Sequence, residues 1–306
     1  MSRLPAKGRV HERIAAIGTA SCPVYVVQGR EKSLLVDAGV SLLGPRYLAS
    51  VQDLLGDAGR LDYLVLTHSH YDHIGSAGYF KRHLPGLKIG AHERVAGLVR
   101  KASVLEAING LSNMHDELRK YNTAGENLAV RPFEIDLVLK QGDEIDLGGL
   151  TCQVYETPGH TRDSLSFWIP EIKALFPGEA CGVLRTGRER KLHVAFLASF
   201  DDYVSSLRLL SALQPEIICL PHNWVLTGDD ASAFLELSLA ETFRYRTMVE
   251  SYLTATNGDL DKTVLELARI EFDPHEAALP PVAAYMTNLA AQVKHIAHLR
   301  ARHAAV

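Results

Sequence analysis

The stretch LVLTHSHYDHIG, residues 64–75, constrains this chain more than any other. Its apolar start reads as a buried strand. The strand stops at Thr67, and His68, His70, Asp72 and His73 crowd the six residues that follow. Side chains beyond strand C-termini line the ligand crevice of open sheets. In an extended loop His68 and His70, two residues apart, face the same side, and the turn after them brings Asp72 and His73 to a neighbouring position. An HxHxDH cluster arises by chance on the order of once in several hundred such chains, so the spacing points to metal binding.

With 306 residues, 47% apolar and 22% charged, the chain buries a large core in one big domain or a domain plus an appendage. The opening MSRLPAKGRVHER lacks the apolar centre of a signal peptide. No apolar run reaches the roughly 18 residues of a membrane span, so the expectation is a cytoplasmic protein with no membrane partner. Cys22, Cys152, Cys181 and Cys219 are far apart and lack CxxC spacing, which suits reduced, packed thiols. The net charge of -4 gives no drive toward phosphate backbones, and no nucleic-acid-binding signature accompanies it.

Strand and helix signals alternate through the first half. CPVYVVQG and KSLLVDAG read as paired strands, GPRYLASVQDLLGDAG as a helix with a glycine stop, and LKIGAH as a further strand after a helix near GSAGYFKRHL. Residues 93–121 look helical, with a break expected at Gly110, and form an insertion suited to a lid or pocket wall. Strands return at LVLKQGDEIDLGGLTCQVYETPG, SLSFWI and KALFPGE, then a helix at SFDDYVSSLRLLSAL leads to EIICLPH. Residues 227–306 read as helix only, with Asp229 or Asp230 expected to cap the first helix and Pro280 or Pro281 to start the last.

Three more strands end on metal-binding types: His160 in YETPGHTRDS, Glu179 in KALFPGE and His222 in EIICLPHN. Each alone is an ordinary solvated residue or helix cap. Together with the first cluster they supply enough imidazoles and carboxylates for two metal ions a few ångströms apart.

THSHYDH, TPGHT, LFPGE and LPHN, with LLVDAG before them, resemble the metallo-β-lactamase superfamily over roughly residues 10–226. The resemblance implies an α/β, four-layer αββα sandwich over residues 1–226 and a C-terminal helical region, 227–306, as lid or homodimer interface. It implies that His68, His70 and His160 hold one ion, that Asp72, His73 and His222 hold the other, that Glu179 bridges them, and that Asp37 supports the site from behind. The bridging residue is more commonly Asp in this superfamily; glutamate adds a methylene and bridges only if the backbone retreats by roughly a carbon–carbon bond. Imidazole and carboxylate donors suit Zn, Fe or Mn rather than Ca or Mg.

Two divalent ions acidify a bridging water and polarise a carbonyl, so hydrolysis by a metal-bridging hydroxide is the expected chemistry, and the resemblance implies that Asp72 orients the water and moves its proton. The helical tail resembles that of glyoxalase II enzymes and of the bacterial acyl-CoA thioesterase of quinolone signal synthesis, which implies a small-molecule acyl thioester as substrate. A lactonase or other ester hydrolase, an iron persulfide dioxygenase and a regulatory binding protein with a retained metal site are the alternatives. Arg185, Arg188, Arg190 and Lys191 form a basic loop suited to an anionic substrate tail, or a solvated hairpin tip. Tyr285, Met286, Phe196 and Trp224 suit an acyl pocket or the core, and His295 and His298 read as a solvated helix face.

Overall fold

The structure, a computed structural model, describes residues 3–186, 192–271 and 282–304. Two seven-stranded sheets form its centre. The first runs Gly8–His11, Ile14–Thr19, Cys22–Gln28, Ser33–Val36, Tyr63–Val65, Lys88–Ala91 and Leu137–Val138 in spatial order. The second runs Arg3–Pro5, Trp224–Thr227, Ile217–Cys219, Ala174–Phe176, Leu165–Ile169, Thr151–Glu156 and Glu144–Asp146. Parallel pairing is confined to the four strands from Ser33 to Val138 and to the pair Ala174–Phe176 with Ile217–Cys219.

Alternation along the strands builds the layers. In Cys22–Gln28, Val24 and Val26 join the core under the first helices, whereas Tyr25 and Val27 enter the core between the sheets. The second sheet repeats this: Phe167, Ile169, Phe176, Ile217 and Val225 face the first sheet, while Trp168, Leu175, Ile218 and Leu226 face the later helices. Three cores therefore separate four layers, in the order αββα. Phe167 is fully buried between the sheets, where truncation to alanine costs about 3–5 kcal/mol.

The helix Gly44–Leu55 buries Tyr47, Val51 and Leu55, one per turn, and stops at Gly56 in the left-handed region, as its sequence predicts. The insertion contains helices Glu93–Leu98 and Ala102–Ser112 and a 3-10 segment Asp116–Tyr121. Its breaks fall at residues 99–101 and 113–115, and Gly110 stays inside a helix: a glycine costs only about 1 kcal/mol in that position, and Ile108 and Leu105 anchor the turn around it. The tail forms helices Asp229–Ala255, Leu260–Glu271 and Val282–Ala304. The first of these is capped by Gly228, with Asp229 and Asp230 in its first turn where they favour the positive end of the helix dipole. Pro280 and Pro281 lie outside the described residues.

The last helix packs Tyr285, Leu289, Val293, Ile296 and Leu299, at three- and four-residue spacing, into the core that also holds Phe234, Tyr245 and Val249. His295 is not on a solvated face. Its Nε2 accepts the backbone N–H of Phe200 at 2.9 Å, filling one of the unpaired donors at the start of helix Phe200–Ala212. His298 is exposed. No helix among the described residues is long and apolar enough to cross a membrane, and all four cysteines are unpaired.

Candidate metal centre

The strands Ser33–Val36 and Tyr63–Val65 lie side by side and parallel, so Asp37 and the histidine loop leave the sheet at one edge. Asp37 adopts φ 64°, a costly conformation for a residue with a Cβ. Its surroundings hold it there: its N–H donates to Val65 O, and its carboxylate accepts from Thr67 N, Thr67 Oγ1 and His73 Nδ1 at 2.8–3.0 Å. Tyr71–Ile74 forms one helical turn, which carries Asp72 and His73 into a second donor group while the His73 ring stays 4.0 Å from that of His68.

From the second sheet, Gly159 at φ 133° lies against the backbone of Tyr203 and turns the chain into His160. Gly178 at φ 52° lets the Glu179 loop approach Thr67, whose Cβ would be 2.8 Å from any Cβ there. The N–H of Leu165 donates to Thr67 O at 2.7 Å, joining the sheets beside these loops.

Seven predicted ligands converge in two groups. His68, His70 and His160 form one, and Asp72, His73, Glu179 and His222 the other; within each, the donor atoms lie within 4.8 Å of one another. His160 Nε2 and His70 Nδ1 are 3.1 Å apart, close to the about 3.4 Å between two nitrogens on a tetrahedral zinc. Glu179 faces both groups, with Oε1 3.3 Å from His222 Nε2 and 3.6 Å from His73 Nε2, and Oε2 3.3 Å from His160 Nε2. Its two oxygens therefore face different groups.

The residues fit divalent ions by their hydrogen bonding as well as by their types. Nδ1 of His73 donates to Asp37, of His160 to Ala195 O, of His222 to Ser21 O, and of His68 toward Thr67 Oγ1. These partners fix the tautomers and turn each Nε2 lone pair inward. His68 Nε2 and His73 Nε2 are buried with no hydrogen-bond partner, an arrangement that costs stability unless each faces a cation.

Burial and the neighbouring imidazoles push the His68 pKa well down, and burial and His160 bring His70 to about 4. Both present neutral rings. Burial opposes charge on His73 and His222 too, but Asp37 and Asp72 for the former and Glu179 for the latter outweigh it and raise both. Burial likewise opposes ionisation of Glu179, and His160, His222 and His73 overcome it and hold the carboxyl well below the usual range.

A cleft of about 340 Å³ opens on this centre. His70, Asp72, Glu179 and His222 form its floor; Leu111, His115, Glu117 and Leu118 of the insertion form one wall, and Ala284, Tyr285 and Thr287 of the last helix another. Of the four residues weighed for an acyl pocket, Tyr285 lines the cleft, whereas Phe196 is fully buried and Met286 and Trp224 pack against the core. Arg185 also lines it, with its guanidinium donating to Glu271 O at 2.8 Å and to His193 Nδ1 at 3.2 Å. Arg188, Arg190 and Lys191 lie outside the described residues.

The sequence reading missed a hydrogen-bonded chain on the cleft wall. Tyr71 Oη and His115 Nε2 are 2.8 Å apart, and His115 Nδ1 is 3.3 Å from Glu117 Oε1. Tyr71 sits inside the HxHxDH motif and was visible there; His115 has no spacing signal, because its partner lies 44 residues away.

An αββα sandwich with histidines and carboxylates gathered at one sheet edge defines a class of metal-binding hydrolase. The chain belongs to the metallo-beta-lactamase superfamily, whose profile matches residues 17–222. It is 29% identical over 163 residues to the acyl-coenzyme A thioesterase MBLAC2 of Gallus gallus, an alignment covering 51% of this chain and 56% of that protein. It is 26% identical over 215 residues to the hydroxyacylglutathione hydrolase of Ruegeria pomeroyi, covering 67% and 69%. The chain thus spans little more than half the length of the thioesterase relative. Among solved structures, the metallo-beta-lactamase family protein TTHA1429 of Thermus thermophilus has the same fold, with a TM-score of 0.65 at 19% identity over 98% of this chain and 94% of that one.

Proposed function

We propose that this protein is a metal-dependent hydrolase of acyl thioesters built on coenzyme A or glutathione. The observation that carries the reading is Glu179, whose oxygens face two adjacent donor clusters on the floor of a cleft with an apolar wall. The names of two relatives, an acyl-coenzyme A thioesterase and a hydroxyacylglutathione hydrolase, support a thioester as the bond cut.

His68, His70 and His160 would hold one divalent ion, and Asp72, His73, Glu179 and His222 a second; Zn, Fe and Mn all suit these donors. Ions bound there would supply a water acidified toward neutrality and a Lewis acid for the carbonyl. Asp37 fixes the orientation of His73. Asp72, half-buried at the cleft floor, accepts the proton of the attacking water and passes it to the sulfur as the carbon–sulfur bond breaks. Leu111, Leu118 and Tyr285 exclude water from the acyl side. A cytoplasmic setting is part of this proposal and agrees with four unpaired thiols.

The test is a substrate screen with metal-loaded protein. Acyl-CoA and acylglutathione hydrolysis that is lost with a chelator and regained with Zn or Mn is the expected result. Lactone opening with no thioester turnover would assign the enzyme to the alternative ester hydrolases.

A further inference from the structure

A second groove, about 540 Å³, lies on the other side of His70. His70 and His160 line it together with Arg94, Lys101 and Arg162. His70 therefore belongs to both cavities. A substrate with its reacting carbonyl at the metal centre can extend past His70 into either cavity, and only the second brings Arg94, Lys101 and Arg162 together.

We propose that this groove binds the anionic carrier half of the substrate, the phosphates of a coenzyme A–type thiol, through Arg94, Lys101 and Arg162; the inference rests on the thioesterase reading. All three side chains are exposed, and none makes an ion pair or side-chain hydrogen bond among the described residues. Three unpaired cations converging on one cavity form a site for phosphate oxygens. They come from separate places in the chain: Arg94 and Lys101 from the insertion, Arg162 from the loop carrying His160.

A fourth group sets the ligand's chemistry further. Asp163 lines the same groove, is 4% exposed, and its Oδ2 is buried without a hydrogen-bond partner. A carboxylate beside phosphates is repulsive, so its place is along a neutral stretch that offers N–H donors. Coenzyme A supplies both kinds of group, amide N–H donors along its pantetheine arm and phosphates at its end. Glutathione has amides but no phosphate for the three cations.

Coenzyme A and pantetheine share the thiol and the amides, so any thiol contact with the ions cancels when their affinities for the metal-loaded protein are compared by calorimetry. Wild type is expected to bind coenzyme A at least tenfold tighter at low salt, and the advantage should shrink as salt rises. The triple charge reversal R94E/K101E/R162E should remove that advantage, while Arg94→Lys should keep most of it. Equal affinities in wild type, or an advantage that survives the triple reversal in a folded protein with its full metal content, overturns the proposal. Turnover of acyl-CoA and acylglutathione reports on the thioesterase reading separately: its absence with both removes that reading, whereas turnover without a coenzyme A advantage over pantetheine in binding removes only the groove.

Discussion

Asp37 Oδ2 lies 2.8 Å from His73 Nδ1, and the same carboxylate takes both donors of Thr67. One strained residue thereby orients an imidazole 36 residues further along the chain. Asp37→Ala leaves three buried donors without an acceptor, at about 1–3 kcal/mol each. The variant is expected to lose at least about 3 kcal/mol of stability and to bind metal at the Asp72 cluster 10–100-fold more weakly. Denaturation of chelator-treated protein and a metal-competition titration measure the two effects, and Asp37→Asn, which keeps one acceptor oxygen, should fall between.

Glu179 reaches both clusters because its side chain is long. Glu179→Asp shortens it by about 1.5 Å, so the carboxylate can approach one cluster only, and the metal content per chain should drop from near two toward one. Elemental analysis after desalting reads this directly. An unchanged content would mean that the backbone at Gly178 moves to compensate.

Chelation should destabilise the fold, since His68 Nε2 and His73 Nε2 are buried without partners. An ion held at 1,000 times its dissociation constant contributes about 4 kcal/mol, which for a chain of this size corresponds to roughly 5–10 °C in melting temperature. Scanning calorimetry with and without a chelator tests it, and Zn or Mn should restore the loss.

His193, beside Arg185 on the cleft wall, has its pKa brought down to about 3 by burial and then by the Arg185 charge. Below the unfolded value of 6.5 the unfolded chain binds a proton that the folded one refuses, so this residue subtracts stability as pH falls from about 6.5 to about 3 and has no effect above that window. His193→Gln should flatten the stability curve between those limits. Denaturation midpoints measured across the range decide it.

Tyr71 and His115 tie the histidine loop to the insertion through a single hydrogen bond. Its loss in His115→Ala is worth about 1 kcal/mol, and amides of residues 113–121 should exchange about fivefold faster as the segment opens more often. Exchange rates equal to wild type would show that the packing of Leu118 alone holds the segment.

The readable parts of the site are those whose signal is local. HxHxDH is legible because four donors share six residues, and His160, Glu179 and His222 because each ends an apolar strand. CPVYVVQG was legible as a strand, and in the structure its Val26 and Val27 serve different cores. What escaped depends on distant partners. His295 looked solvated because nothing near it in sequence signals a partner for its ring nitrogen, and the donor it accepts from, the N–H of Phe200, lies 95 residues away. Arg94, Lys101 and Arg162 carry no signal in the sequence, and only the folding of the insertion against the His160 loop sets them around one cavity. The break expected at Gly110 failed because packing of the surrounding turn outweighs the modest preference of glycine against helix.

The placement of donors on both sheets has a mechanical consequence. His70 and His160 are 90 residues apart in sequence, and a single ion held by both acts as a covalent staple would. In the chain-entropy picture, closing a loop of that length restricts the unfolded chain by about 4–5 kcal/mol. Among its described residues this protein has no disulfide to do so. An ion bound there would therefore join the two halves of the sandwich by a removable cross-link, and the supply of metal would govern how tightly they are held together.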